Sequence, residues 1–216
     1  MSRSRRIFRL IEPTLPGAIL CKDMLVLTPT RHIVRGFLLE TTTEKGRVYL
    51  WRVVTPLHRP ISSVILNYSH RIPETADVYV TADFRESASA IRAIIGEEHV
   101  AYLRSVETPA DFLRHASWIG SGSPILNRID RALALYLAGG TRRSMESIRA
   151  LKSEADALDA RRREYVGPVL DEVVRAFDAN PERVARILQN WEDENVARLG
   201  LEPSRIPTPA VVPARH

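Results

Sequence analysis

The chain has a single cysteine, Cys21. It cannot close an internal disulfide, which removes the usual staple of a small secreted domain. Lysine is nearly as scarce, confined to Lys22, Lys45 and Lys152, so arginine carries the positive charge. Long apolar runs are missing too: stretches such as Val64-Ile65-Leu66 fall far short of the ~18–20 residues a membrane-spanning helix needs. The basic start Met1-Ser-Arg-Ser-Arg-Arg6 leads into Arg9, Glu12 and Pro13 rather than the apolar stretch of a secretory signal. These absences place the protein in the cytoplasm with no membrane partner.

Motifs that carry chemistry are absent as well. Cys21 beside Lys22 could be an activated thiol, but nothing fixes a histidine against it, and a lone cysteine next to Leu20 reads as a small buried hydrophobe. Gly120-Ser-Gly-Ser-Pro124 could cradle an anion at a helix start. It lacks the Walker spacing and lysine and does not spell a serine nucleophile elbow, so it reads as a connector. Glu97-Glu98-His99 collects ligand types, yet neighbours on a helix point about 100° apart and cannot converge on one ion. No histidines stand at the i, i+4 spacing of a helical zinc site. Asp77 and Asp83 could be an acid/base pair, but their separation cannot be read from the sequence. The expectation is no metal, no cofactor and no catalytic residue.

What is present is an ordinary globular composition: 44% hydrophobic and 26% charged over 216 residues, enough to bury a core in one compact domain or two small ones. The formal charge of +5 invites a nucleic-acid reading. Acids at helical spacing oppose it, pairing Glu182 with Arg186, Lys152 with Asp156, Asp159 with Arg163 and Glu194 with Arg198 into self-neutralising faces.

Residues from about Ile7 to Val80 carry strand chemistry. His32–Thr43 and Arg47–Thr55 are rich in β-branched and aromatic residues, and Glu44-Lys45-Gly46 between them predicts a hairpin. Both faces of the second strand carry bulky apolar groups, so both need a cover. Pro56 and Pro60 should interrupt the ladder before a third strand over Ile61–Arg71. Ala76–Thr81 and Met24–Leu27 read as short additional strands, with Ala18–Leu27 open to a helix instead.

The period changes after Asp83. Asp83-Phe-Arg-Glu86 and Thr108-Pro-Ala-Asp111 have capping-box spacing, and Ser123-Pro124 opens a helix that closes at Gly139-Gly140. A long helical stretch from Arg143 to Ala179 should break or kink at Gly167-Pro168. Asn180-Pro181 starts a final helix ending at Gly200. The resulting fold class is α+β: an antiparallel meander of about three to five strands over residues 1–82, packed against a helical half over 83–201 as one folding unit. Residues 202–216, with Pro203, Pro207, Pro209 and Pro213, read as a flexible tail. Many small bacterial accessory proteins share such an architecture, which by itself implies no function.

The cluster most able to meet a partner lies in the β half: Arg31, His32, Arg52, His58, Arg59, His70 and Arg71, with Arg35 and Trp51 among them. Guanidinium and imidazole groups beside an aromatic could hold an anionic surface or a nucleic acid. Alternatively they are strand-end charges that discourage edge aggregation. Trp51 and Arg52 point to opposite faces, which works against a single surface. Three functions remain: a non-catalytic interaction protein of accessory, adaptor or immunity type binding another protein; a nucleic-acid binder using the arginine-rich sheet and N-terminus; and an enzyme with an unrecognised site.

Overall fold

In the computed structural model, which describes residues 1–72, 78–116 and 124–204 except the Arg162 side chain, the chain opens on a helix, α1 (Arg3–Ile11). A 3-10 turn over Glu12–Thr14 leads into β1 (Ala18–Cys21), β2 (Met24–Leu27), β3 (Ile33–Thr41), β4 (Arg47–Pro56), β5 (His70–Ile72) and β6 (Val78–Tyr79). Helices α2 (Phe84–Arg104), α3 (Pro109–His115), α4 (Ile125–Leu137), α5 (Thr141–Asp156), α6 (Ala160–Ala179) and α7 (Pro181–Leu199) follow. The sheet runs in the order β1-β2-β3-β4-β5 with β6 also on β4, every pair antiparallel. The fold is thus α+β, an antiparallel sheet followed by helices.

The β3–β4 hairpin forms as expected, from Ile33 opposite Pro56 to Thr41 opposite Val48, and Gly46 closes it with φ +84. Register sorts the side chains. Phe37, Leu39, Leu50 and Val54 enter a core with Ile7, Phe8 and Ile11 of α1 and Ile91, Ile95 and Leu103 of α2. Val34 and Val53 face the other way, into a second core with Cys21, Leu57, Ile61, Val196 and Leu201. A third core lies between α4, α5, α6 and α7, built on Ile129, Leu133, Ile148, Leu170 and Leu188.

The cover for the sheet therefore comes partly from a stretch whose residues carry strand chemistry. The stretch from Ile7 begins as helix α1, with Ser2 accepting from the Arg5 N–H at its start. Ile7, Phe8 and Ile11 are buried on one side of it. The expected third strand over Ile61–Arg71 reduces to His70–Ile72. Side chains replace the ladder before that point: Thr55 Oγ1 donates to the Ile65 carbonyl at 2.8 Å, and Ser69 Oγ accepts from the Val54 N–H at 3.2 Å. Of the expected Ala76–Thr81 strand, Val78–Tyr79 forms, and residues 76–77 lie outside the described residues, as do residues 120–123 of the Gly-Ser connector.

Helix ends follow their caps. Asp83 accepts from the Arg85 and Glu86 N–H groups, Thr108 and Asp111 form a reciprocal capping box, and Asn180 accepts from the Glu182 N–H. The long stretch ahead of Ala179 divides at Ala157–Asp159, not at Gly167-Pro168, which lies inside α6. The carbonyl that Pro168 leaves without its N–H belongs to Glu164, an exposed residue, so water can take the place of the lost bond. The first residues expected in the tail are ordered: Glu202–Ser204 forms a 3-10 turn, and the Ser204 carbonyl accepts from the Thr30 N–H at 2.9 Å. Residues 205–216 lie outside the described residues.

Gly36 holds the closest backbone approach in the sheet. A Cβ there would stand 2.2 Å from the Leu25 carbonyl oxygen. Only a hydrogen fits, and Gly36→Ala is expected to lower the unfolding free energy by about 1–3 kcal/mol, the usual cost of overpacking. Urea denaturation measures it. An unchanged midpoint would contradict the approach of β2 to β3.

Candidate functional site

The seven side chains singled out in the β half are not brought to one surface. Arg31 is exposed; His32, Arg52, His70 and Arg71 are half-buried; His58 and Arg59 are buried. Register divides them. Arg52 stands opposite His70 on one face, and Trp51 stands opposite Arg71 on the other. The Arg71 guanidinium lies 4.3 Å from the Tyr49 ring centre, and Trp51 Nε1 donates to Glu40 at 2.8 Å. Arg35, also buried, donates Nη2 to the Pro29 carbonyl at 2.7 Å.

Arg52 belongs to an aromatic and imidazole cluster beneath α2. Its guanidinium stacks 3.7 Å from the Tyr102 ring centre, and its Nη1 meets His99 Nδ1 at 3.2 Å. His115 spends both ring nitrogens inside the cluster, one on the Tyr102 hydroxyl and the other on the Tyr68 carbonyl at 2.8 Å. His70 meets the His115 ring edge-on at 6.2 Å. Burial lowers the pKa of both His99 and His115, with Arg52 reinforcing it. A general base needs a free lone pair within reach of a substrate proton. His115 has none to offer.

His58 and Arg59 enter a buried node that ties the Leu57–Tyr68 segment to two helices. Arg59 grips Asp130 of α4 in a fork, Nε to Oδ1 at 2.6 Å and Nη2 to Oδ2 at 3.2 Å. The Tyr68 hydroxyl donates to Asp130 Oδ2 at 3.2 Å and to the Asn127 carbonyl at 3.0 Å. His58 Nε2 donates to the Asp130 carbonyl at 2.8 Å. From α7, Asn195 Nδ2 donates to the Leu57 and Arg59 carbonyls at 2.8 and 2.7 Å, while its Oδ1 accepts from the Ile61 N–H at 3.1 Å. Glu192, one turn earlier, meets His32 Nδ1 at 2.7 Å. A segment without strand pairing has its backbone groups satisfied by side chains instead, which is what burying it requires.

Electrostatics in the node follow burial. Asp130 is fully buried, which pushes its carboxyl above the usual range, while Arg59 and Tyr68 pull it back. Tyr68 is pushed up by burial and by the adjacent Asp130. Burial drives His58 down to about 3, so its imidazole is neutral throughout the physiological range. Cys21 is 3% exposed, and burial with Glu12 and Glu202 nearby pushes its thiol up to about 11, far from an activated thiolate. Among the described residues no group of three or more His, Cys, Asp or Glu is placed to hold a metal, and no helix is long and apolar enough to cross a membrane.

The sequence carries one signal for the partners of Arg59 and His58. Asn195 follows Leu188 and Trp191 at helical spacing on the buried side of α7, where the stripe calls for another apolar residue.

Two open concavities lie among the helices and against the segment over residues 59–67. One, of about 560 Å³, is lined by Pro124, Ile125, Leu126, Leu158, Tyr165 and Val166 with Glu154 at its edge. A second, of about 520 Å³, shares Leu126 and Tyr165 and continues past Ile61, Ile65, Pro168 and Val169. The two cavities share Leu126 and Tyr165 in their walls, and Tyr165 is 74% exposed. On the rim Glu154 pairs with Arg128, Arg59 is neutralised by Asp130, and Arg198 donates Nη1 to the Ile61 carbonyl. Among the described residues Glu164, exposed on α6, makes no ion pair.

The chain matches no protein-family model, no curated protein and no solved structure.

Proposed function

We propose that the protein is a non-catalytic interaction protein whose groove around Tyr165 receives a short apolar segment of another protein. The observation that carries this reading is the exposed Tyr165, which lines two adjoining cavities walled largely by aliphatic and proline side chains. A tyrosine exposed to this degree over apolar walls has the chemistry of an interface anchor, large, rigid and tipped with a hydroxyl. The rim adds a direction. Glu164 offers a carboxylate and Arg198 a guanidinium to the same channel, so the segment that fits has an apolar centre flanked by a basic and an acidic residue. Helix-in-groove docking uses this arrangement.

Supporting the reading from the other side, Arg59 and Asp130 are spent on each other, His115 on the Tyr102 hydroxyl and the Tyr68 carbonyl, and His58 Nε2 on the Asp130 carbonyl, all within buried surroundings. The test compares co-purification by wild type, by Tyr165→Asp and by the double variant Arg31→Glu with Arg71→Glu. A protein retained by the sheet variant and lost by Tyr165→Asp, roughly tenfold or more as expected for a hot-spot aromatic, supports the groove. Loss with the sheet variant alone overturns it. A retained protein that proves to be a second copy of this chain would overturn the choice of partner.

A further inference from the structure

The helical faces are not all self-neutralised. Of the four ion pairs expected from helical spacing, Lys152 with Asp156 forms, whereas among the contacts of the described residues Glu182 and Arg186, and Glu194 and Arg198, do not join as side-chain pairs, and Arg163 donates to the Leu158 carbonyl. Exposed i, i+4 pairs are worth only about 0.3–0.5 kcal/mol, so any better tertiary contact redirects them. The consequence is uneven. The α5-facing side of α6 has its acids matched, Asp171 with Lys152 at 3.1 Å and Asp178 with Arg149 at 2.6 Å. On the α7-facing side the balance is broken.

There Arg175 of α6 converges with Arg183 and Arg186 of α7 on a groove of about 330 Å³, completed by Asn190, Ile187 and Glu172. Arg183, Arg186 and Asn190 stand at i, i+3 and i+7 on one helical face, and Glu172 and Arg175 at i, i+3 on the other. All three arginines are exposed and, among the described residues, none makes an ion pair; Arg175 Nε reaches the Asp171 carbonyl at 3.2 Å. Three guanidiniums against one carboxylate leave a concave site with a net positive charge.

We infer that the α6–α7 groove is an anion site for a small phosphate-bearing ligand. Guanidinium forks match phosphoryl oxygens in pairs, and three of them around one concavity can surround a phosphate or pyrophosphate group rather than graze it. The volume lies at the lower end of the small-ligand range. A nucleic-acid strand is disfavoured, because no aromatic ring lines the groove to stack a base. Asn190 can donate to a further phosphoryl oxygen, while Glu172 can accept from a hydroxyl or amino group on the rest of the ligand. This site is separate from the Tyr165 groove and does not depend on it.

The probe is inorganic pyrophosphate, titrated calorimetrically into the full chain at fixed ionic strength. The expected result is one site with a Kd below about 1 mM. Arg183→Gln or Arg186→Gln should weaken it about tenfold, and Glu172→Gln should tighten it by relieving repulsion. Arg149→Gln, which removes a cation held by Asp178 outside the groove, should leave binding unchanged. These surface changes are expected to leave folding intact. Failure of pyrophosphate to bind, an equal loss from Arg149→Gln, or binding of a single-stranded oligonucleotide in its absence would overturn the assignment.

Discussion

Replacing Asp130 with alanine lowers the unfolding free energy by about 3–5 kcal/mol, the range for removing one partner of a buried ion pair. The carboxylate has no solvent exposure, and its partner Arg59 is 6% exposed, so the guanidinium left behind cannot recover its hydration. Tyr68 loses its carboxylate acceptor as well. The loss is one of pairing rather than of charge as such. Arg59→Met alone strands the buried carboxylate and should cost a similar amount. The double variant Arg59→Met with Asp130→Leu leaves neither ion, and should be more stable than either single variant. Denaturant midpoints for the four proteins give the coupling. Additive losses would show that the two side chains act independently.

The second large effect is a pH dependence set by His58. Burial holds its folded pKa at about 3, whereas in the unfolded chain an imidazole titrates near ~6.5. Between those values the unfolded chain binds a proton that the folded one refuses. Stability is therefore fully present above pH ~6.5 and falls as pH drops, by about 1.4 kcal/mol per pH unit from this residue until its folded pKa is reached. His99 and His115, also lowered, add in the same direction. His58→Gln keeps a side-chain donor for the Asp130 carbonyl and removes the titration. Between pH 7 and pH 5 it should lose about 2 kcal/mol less than wild type in urea unfolding. Parallel curves for the two proteins would contradict a neutral, buried His58.

Both effects arise in a segment whose fold the sequence only half discloses. The β3–β4 hairpin was legible because alternation, β-branching and a glycine turn agree. The caps at Asp83, Thr108 and Asn180 were legible because each is decided within four residues. Ile61–Tyr68 also alternates, yet it forms no ladder, since Arg59, Tyr68 and Asn195 tie it to helices some 60 to 140 positions away. No local pattern announces such partners. Helix α1 was hidden for a different reason: Ile7, Phe8, Leu10 and Ile11 are dense enough to satisfy a strand or a helix, and packing against α2 selects between them.

The candidate surfaces show the same division. Charge composition revealed an arginine excess but not its address. Spacing predicted neutralised faces on α7, and tertiary contacts instead drew Arg198 to the Ile61 carbonyl and left Arg183 and Arg186 with Arg175. The Tyr165 groove could not be read at all, because its walls come from the Ile61–Ile65 segment, α4, α5 and α6.

The most direct measurement of where a partner docks is site-specific photo-cross-linking in the living host, with a benzophenone side chain placed at position 165 in one variant and at position 31 in another. Both positions are exposed, so neither placement disturbs the core. A discrete adduct with another protein is expected from position 165 and none from position 31. An adduct from position 31 with position 165 silent would contradict it and return the interaction to the arginine-bearing sheet.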